Sequence, residues 1–283
     1  MSAHQGGRSG LGWAVGGLLT AGLAAVIHLT VGWGPLFVPW TTVQPWTLAA
    51  ASALVVCSYG VRTIRIQTYF RPATSGRFSA VVRLVLIHNL LNNLLPMRTG
   101  EASFPVLMAR RFRVEYSRSI PALLYLRALD LHFVLMLGGF VLILDRASLG
   151  WILLLLLAPL PFGFFLLQES FGRRLAGLDG RMASVARTGL EGLPSSSTLF
   201  WATWFWTAVN WSVKLLVLAW ILRAFAHMPF PAAFLGTTTG ELSSVLPFHG
   251  IAGAGTYEAG VLAGLVPLGI ELEPALQLSL IHI

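Results

Sequence analysis

A single cysteine, Cys57, stands in 283 residues, which excludes an internal disulfide and any cysteine-built metal site. Charge is scarce too: 11% of residues are Asp, Glu, Lys or Arg, against about 25% in soluble domains. With 55% hydrophobic residues and a mean hydropathy of +0.73, no soluble domain of useful size is left over. The composition is that of a polytopic membrane protein. Acids are outnumbered 11 to 19 by bases, for a net charge of +8. That excess does not point to nucleic acid, because the cations sit at the ends of apolar runs, where membrane topology accounts for them. Cations so placed also attract anionic lipid headgroups. The chain has no Ser-His-Asp set, no His/Asp metal cluster and no HExxH motif, so no catalytic residue, metal or cofactor is assigned. Gly253-x-Gly255 has no strand before it and no Lys-Ser/Thr after it, which excludes a nucleotide loop.

What is there is organised around one broken stretch, Asn89-Leu-Leu-Asn-Asn-Leu-Leu-Pro-Met-Arg-Thr-Gly-Glu101. It is apolar overall, yet it holds Asn89, Asn92, Asn93, Arg98 and Glu101 around the breakers Pro96 and Gly100. The run Leu84 to Leu95 would rise only about 18 Å as a helix, against a hydrocarbon core of roughly 30 Å. Arginines flank it on both sides (Arg77 and Arg83 before, Arg110, Arg111 and Arg113 after), so both ends belong on one face. The expectation is a re-entrant hairpin over about 78–109. Its polar turn must be buried in protein or line a wet cavity.

The remaining apolar runs give expected spans at about 11–31, 46–70, 119–144, 149–167 and 199–225. The first contains Gly12 and Gly16, a weak GxxxG signal for close helix packing. Trp33, Trp40 and Trp46 suit an outer interface, and Asp145-Arg146 reads as a tight outer turn. The fourth span is interrupted by Pro159 and Pro161, and the loop after it has room for a short interfacial helix. Fourteen of the nineteen bases fall on one side of this scheme: Arg8, five from Arg62 to Arg83, four from Arg110 to Arg118 and four from Arg173 to Arg187. That bias predicts a cytoplasmic N-terminus.

From Pro229 the opening pattern returns. Gly236-Thr-Thr-Thr-Gly-Glu241 interrupts an apolar run, then come Leu246-Pro247 and Phe248 to Glu258. Both regions share Leu-Pro, a Gly-containing polar turn and a Glu, which predicts a second hairpin over about 231–268, entering from the opposite face. Two interrupted segments at matching places in two halves point to a site between inverted repeats.

Ionisable groups within membrane segments cost about 2.5–3.5 kcal/mol each on insertion scales, so each is a candidate for function. Arg98–Glu101 and Arg127–Asp130 are spaced to share a helix face; they either neutralise each other structurally or serve a site. Lys214, Glu241 and Glu258 have no local partner and must find each other, a headgroup or water. Asn92 and Asn93, with Asn89, can bond a headgroup or another helix. His249 and Tyr257 flank the second turn, while His88 and His132 read as packing or interfacial. Glu101 and Asp130 could act as an acid–base pair, though nothing in the spacing requires it.

Asn92 to Glu101, Arg127-Ala-Leu-Asp130, Gly240 to Pro247 and Gly253 to Glu258, in that order, resemble the transmembrane, flippase-like part of lysylphosphatidylglycerol synthase (multiple peptide resistance factor). The resemblance covers nearly the whole chain. It implies an all-α bacterial inner-membrane protein with two re-entrant hairpins that moves lipids between leaflets, with Arg98, Glu101, Arg127, Asp130, Glu241 and Glu258 at the site. The full enzymes append a soluble aminoacyltransferase domain, and these residues contain none. The expected function is therefore a lipid translocase for a phospholipid, hopanoid or polyprenyl-phosphate cargo. The alternatives are an integral-membrane transferase on a lipid-linked substrate, or a non-catalytic partner of a lipid-modifying enzyme; self-association is left open. Leu278-Ser-Leu-Ile-His-Ile283 matches what a transposon-end sequencing adapter encodes in frame, so the gene is expected to run on through at least one more span.

Overall fold

The computed structural model describes residues 17–18, 20–34, 37, 40, 41, 43–144, 148–176, 179–225, 228–245, 253–271, 275 and 279. The Gly12/Gly16 pair, the Asp145-Arg146 turn, Pro247, His249 and all of the adapter-like end except Ser279 lie outside these residues. Among the described residues the regular structure is entirely helical, with no strand. The protein is an all-α polytopic membrane protein.

Four helical segments are long and apolar enough to cross a bilayer: Pro45–Tyr69, Tyr116–Ile143, Ser148–Gln168 and Ser197–Phe225. Helix α1 (Pro45–Tyr69) opens on Pro45, whose fixed φ suits a first helical position and whose missing N–H is not needed there. Helix α2 (Phe78–Leu94) stops where Leu95, preceding Pro96, is driven into extended backbone. A 3-10 turn, Pro96–Ala102, follows and leads into α3 (Ser103–Phe112). Helix α4 (Tyr116–Leu144) is the longest of the first half. The next span is two helices, α5 (Ser148–Leu157) and α6 (Leu160–Ala176), parted at Pro159. Helix α7 (Arg181–Glu191) occupies the loop in which a short helix was expected, and it leaves Met182 and Val185 exposed, as an interfacial helix would. Helices α8 (Ser197–Phe225), α9 (Phe230–Val245) and α10 (Thr256–Leu265) complete the order. Of the first expected span, the described part includes the apolar helix Thr20–Leu29, closed by a π turn at Ile27–Val31.

The two hairpin regions are built alike. The first has arms of 17 and 10 residues and the second arms of 16 and 10. None of these arms reaches the roughly 30 Å of a hydrocarbon core at 1.5 Å per residue. Hairpin α2–α3 packs on α1 and α4, and hairpin α9–α10 packs on α8 and α4. Each side has its own apolar cluster. Phe70, Leu84, Phe104, Met108 and Leu126 centre the first; Val134, Trp211, Leu215, Phe234 and Leu265 centre the second. Helix α4 feeds both, and Trp204 packs against each.

Glycine is what lets the second hairpin close. Gly236 and Gly240 on α9 face Gly260 and Gly264 on α10. A Cβ on Gly260 would stand 2.6 Å from the Thr239 carbonyl oxygen, and one on Gly264 would meet the Gly236 Cα at 3.0 Å. Both stretches are GxxxG, the spacing that brings two backbones together where hydrocarbon supplies no hydrophobic drive. Gly260→Ala should therefore cost about 1–3 kcal/mol through overpacking against immovable backbone. Gly163→Ala, in α6 with nothing within 4 Å, should be neutral or mildly stabilising. Thermal melting of the purified protein checks this; equal melting temperatures would mean that α9 and α10 do not pack on their glycine faces.

Candidate functional site

Asp130, on α4, is only 2% exposed. Its carboxylate accepts from Arg65 Nη1 at 2.5 Å and Nη2 at 3.4 Å, from Arg127 Nη1 at 3.2 Å and from the Trp211 indole N–H at 2.9 Å. Three helices, α1, α4 and α8, thus converge on one side chain. Arg65 also donates to Thr207 Oγ1 at 3.1 Å, which fixes it to α8.

The charges continue outward from there. Arg127 Nη2 lies 2.9 Å from Glu101 Oε1, so the two i, i+3 pairs are joined into one network. Arg127 also donates to His88 Nε2 at 3.1 Å, and because arginine has no acceptor the His88 proton belongs on Nδ1, 3.0 Å from Ser103 Oγ. Glu101 Oε1 accepts from Arg98 Nη2 at 2.5 Å. Arg98 Nη1 then crosses to the second hairpin, donating to the Ser244 carbonyl at 2.9 Å and to the Val245 carbonyl. Those are last-turn carbonyls of α9, which lack helical partners and carry the negative end of the helix dipole. Arg98 holds this position with φ of +52°, a left-handed conformation costly for a residue with a Cβ. The turn is tight enough that Gly100 has no room for a Cβ, which would come within 2.4 Å of the Leu91 and Asn92 backbone.

Between the turn that holds Arg98 and the described ends of α9 and α10 lies a polar cavity of about 360 Å³. Its wall includes Arg62, Asn92, Arg98, Arg127, Lys214 and Glu241, with Asn89, Asn93, Ser244, Gly253 and Tyr257 also on it. Lys214 and Glu241, which have no local partner in sequence, pair at 2.6 Å across 27 positions. Lys214 Nζ also sits 5.3 Å from the centre of the Trp211 ring, one helical turn away. Ser244 Oγ donates to Glu241 Oε2 at 3.1 Å.

Of the expected site residues, the cavity gathers Asn92, Asn93, Arg98, Arg127, Lys214, Glu241 and Tyr257 on its wall. Asp130 and Glu101 hold that wall from behind. Glu258 is elsewhere: it is buried, and its Oε2 accepts the Gly255 N–H at 2.6 Å, closing the start of α10. The chain's own carboxylate thus occupies this helix start. Arg62 and Arg65, counted with the cytoplasmic flank of α1, are corrected to the interior. Helix α1 runs on to Tyr69, so both lie one to two turns inside its end; Arg65 pairs with Asp130, and Arg62 stands on the cavity wall. His88, expected as packing, belongs to the network. Among the described residues, no three His, Cys, Asp or Glu side chains are grouped to hold a metal ion.

Residues 13–282 match the family model described as lysylphosphatidylglycerol synthase TM region. The chain belongs to that family. No curated protein and no solved structure matches it. Membership of the lysylphosphatidylglycerol synthase TM region family, with four membrane-length helices, makes this a multi-pass membrane protein of lipid modification or translocation.

Because Asp130 neutralises two arginines out of water, Asp130→Ala should cost roughly 3–5 kcal/mol, as is usual when one partner of a buried pair is removed. Arg110→Ala, at an exposed position, should stay within about 0.5 kcal/mol. Denaturant unfolding in detergent compares the two; a tolerated Asp130→Ala would mean that the network is not what holds α1, α4 and α8 together.

Proposed function

We propose that the protein is a lipid translocase, moving a polar or anionic-phosphate lipid between the leaflets of a bacterial inner membrane. The observation that carries this reading is the charged cavity between the first hairpin's turn and the described ends of α9 and α10, in an otherwise apolar helical bundle. A headgroup enters the cavity and the acyl chains stay in the bilayer, so only the polar part must cross. Membrane phospholipids, hopanoids and polyprenyl phosphates all have that form.

The two hairpins insert from opposite faces and form an inverted repeat; their matched arm lengths support this, as does the bridge between their tips. Alternating access rocks one hairpin against the other. Arg98 is the natural latch, because its guanidinium joins the strained turn to Glu101 and to the end of α9. Letting go of the α9 carbonyls parts the tips and relieves the strain together. The excess of arginine on one side of the scheme sets the N-terminus in the cytoplasm.

Lys214–Glu241 joins α8 to the second hairpin, and it is the pair a headgroup meets on the cavity wall. Glu241 is 3% exposed at its side chain and Lys214 27%. Lys214→Gln alone would strand a buried carboxylate, so the informative variants are Glu241→Gln and the double Lys214→Gln/Glu241→Gln. Each should fold and should slow translocation of headgroup-labelled lipid in liposomes by about tenfold or more, the effect of roughly 1.4 kcal/mol. Well-folded wild type that moves no lipid would overturn the translocase reading.

A further inference from the structure

Every cation on the cavity wall is already engaged, except one. Arg98 is held by Glu101 and the α9 carbonyls, Arg127 by Glu101 and Asp130, and Lys214 by Glu241. Arg62 has no carboxylate within ion-pair distance among the described residues. Its one hydrogen bond is from Nη1 to Asn89 Oδ1 at 2.9 Å, and its Cζ lies 5.5 Å from the centre of the Tyr59 ring. Asp130 borders the same narrow inner space but is taken by Arg65, Arg127 and Trp211.

A half-buried guanidinium among other cations feels their repulsion, which the Asp130 carboxylate, already shared by Arg65 and Arg127, offsets only in part. An anion relieves that. The Asn89 amide beside it is suited to receive one: it spends its oxygen on Arg62, leaving Nδ2, a donor, buried without a hydrogen-bond partner. An arginine fork and a free amide N–H are donors only, which selects an acceptor-rich group, and the planar fork fits two oxygens of a phosphate. The wall as a whole is positive: Glu241 is the one acid there among the described residues, against Arg62, Arg98, Arg127 and Lys214.

We propose that Arg62, with Asn89 beside it, is the anion subsite of the cavity and takes one phosphate group, that of the lipid headgroup. This rests on the translocase reading for its source, though not for its chemistry. The subsite lies between α1, which carries Arg62, and α2 of the first hairpin, which carries Asn89. The phosphate is therefore held on the side of the first half while Glu241 moves with the second hairpin.

The test is thermal stabilisation of the full chain in uncharged detergent by three probes: dihexanoyl phosphatidylglycerol, dihexanoylglycerol and inorganic phosphate. The phosphatidylglycerol should raise the melting temperature and the diacylglycerol should not. Arg62→Gln should need at least ten times more phosphatidylglycerol for the same shift, and Arg62→Lys, which keeps the charge and loses the fork, should fall between. If Arg62→Gln fails to fold, Asn89→Asp serves instead: it gives the intact guanidinium an internal counter-ion and should abolish the stabilisation. Inorganic phosphate that matches the lipid probe at equal concentration would support the subsite and make free phosphate its source. Lipid-probe binding unchanged in Arg62→Gln or in folded Asn89→Asp would overturn the subsite. Arg62-dependent phosphate binding in a wild type that moves no lipid would overturn the translocase reading and leave the subsite standing.

Discussion

Burying the Asp130 carboxylate at 2% exposure is possible only if its charge is matched on the spot, and the arrangement of the first half of the bundle is a consequence. Arg65 arrives from α1, Arg127 from one turn back on α4, and Trp211 from α8. Each donor is fixed to its own helix, so satisfying one acid sets the positions of three. Arg127 is shared with Glu101, Glu101 with Arg98, and Arg98 with the end of α9. An unbroken line of charge-assisted hydrogen bonds therefore runs from α1 to the second hairpin. Removing any link leaves its neighbours charged and dry, which is why the line acts as a unit rather than as separate pairs.

The second half is held by different physics. In hydrocarbon, apolar faces gain little from meeting each other, so close packing and polar bonds must replace the hydrophobic drive. Around hairpin α2–α3 the polar bonds do that work. Between α9 and α10 it falls to Gly236, Gly240, Gly260 and Gly264, which let dispersion act at backbone range. One hairpin is thus tied by directional bonds that can be exchanged, and the other is a close-packed unit. Under the translocase reading this division is useful. A rigid α9–α10 can move as a body, and the bonds that break are those at Arg98.

How much of this could be read from sequence depended on distance along the chain. Arg98–Glu101 and Arg127–Asp130 were legible because three residues on a helix bring partners onto one face. The four membrane-length helices were legible from apolar runs, and the break at Pro159 from the missing N–H. That Lys214 pairs with Glu241, 27 positions away, was not legible: the cost of leaving either alone left Glu258, a headgroup and water open as partners. Arg62 and Arg65 were misread because a rule about helix ends assigns any cation near an end to the outside. The corrective signal was present: the apolar pattern resumes at Ile64 and Ile66 and the helix reaches Tyr69, so both arginines stand inside it. The facing GxxxG pairs of α9 and α10 were also in plain view, at Gly236-Thr-Thr-Thr-Gly240 and Gly260-Val-Leu-Ala-Gly264. Spacing alone does not say which glycines meet, and only the fold pairs them.

Under the translocase reading the cavity must bind its cargo weakly enough to release it, and its charge pattern meets that need. Four bare cations would hold a phosphate tightly in a poorly screened space. Here Arg98, Arg127 and Lys214 have internal carboxylates, so an entering anion competes with Glu101, Asp130 and Glu241 for them rather than finding them free. Among the described residues of the wall, Arg62 alone offers its charge without displacing a carboxylate. Net attraction is then close to that of one guanidinium and its amide neighbour, and each further contact is an exchange of nearly equal bonds. A headgroup amine or hydroxyl gains in the same way, by borrowing a carboxylate from its cation. Exchange at near-constant energy smooths a path across a membrane, whereas a single deep well would block it.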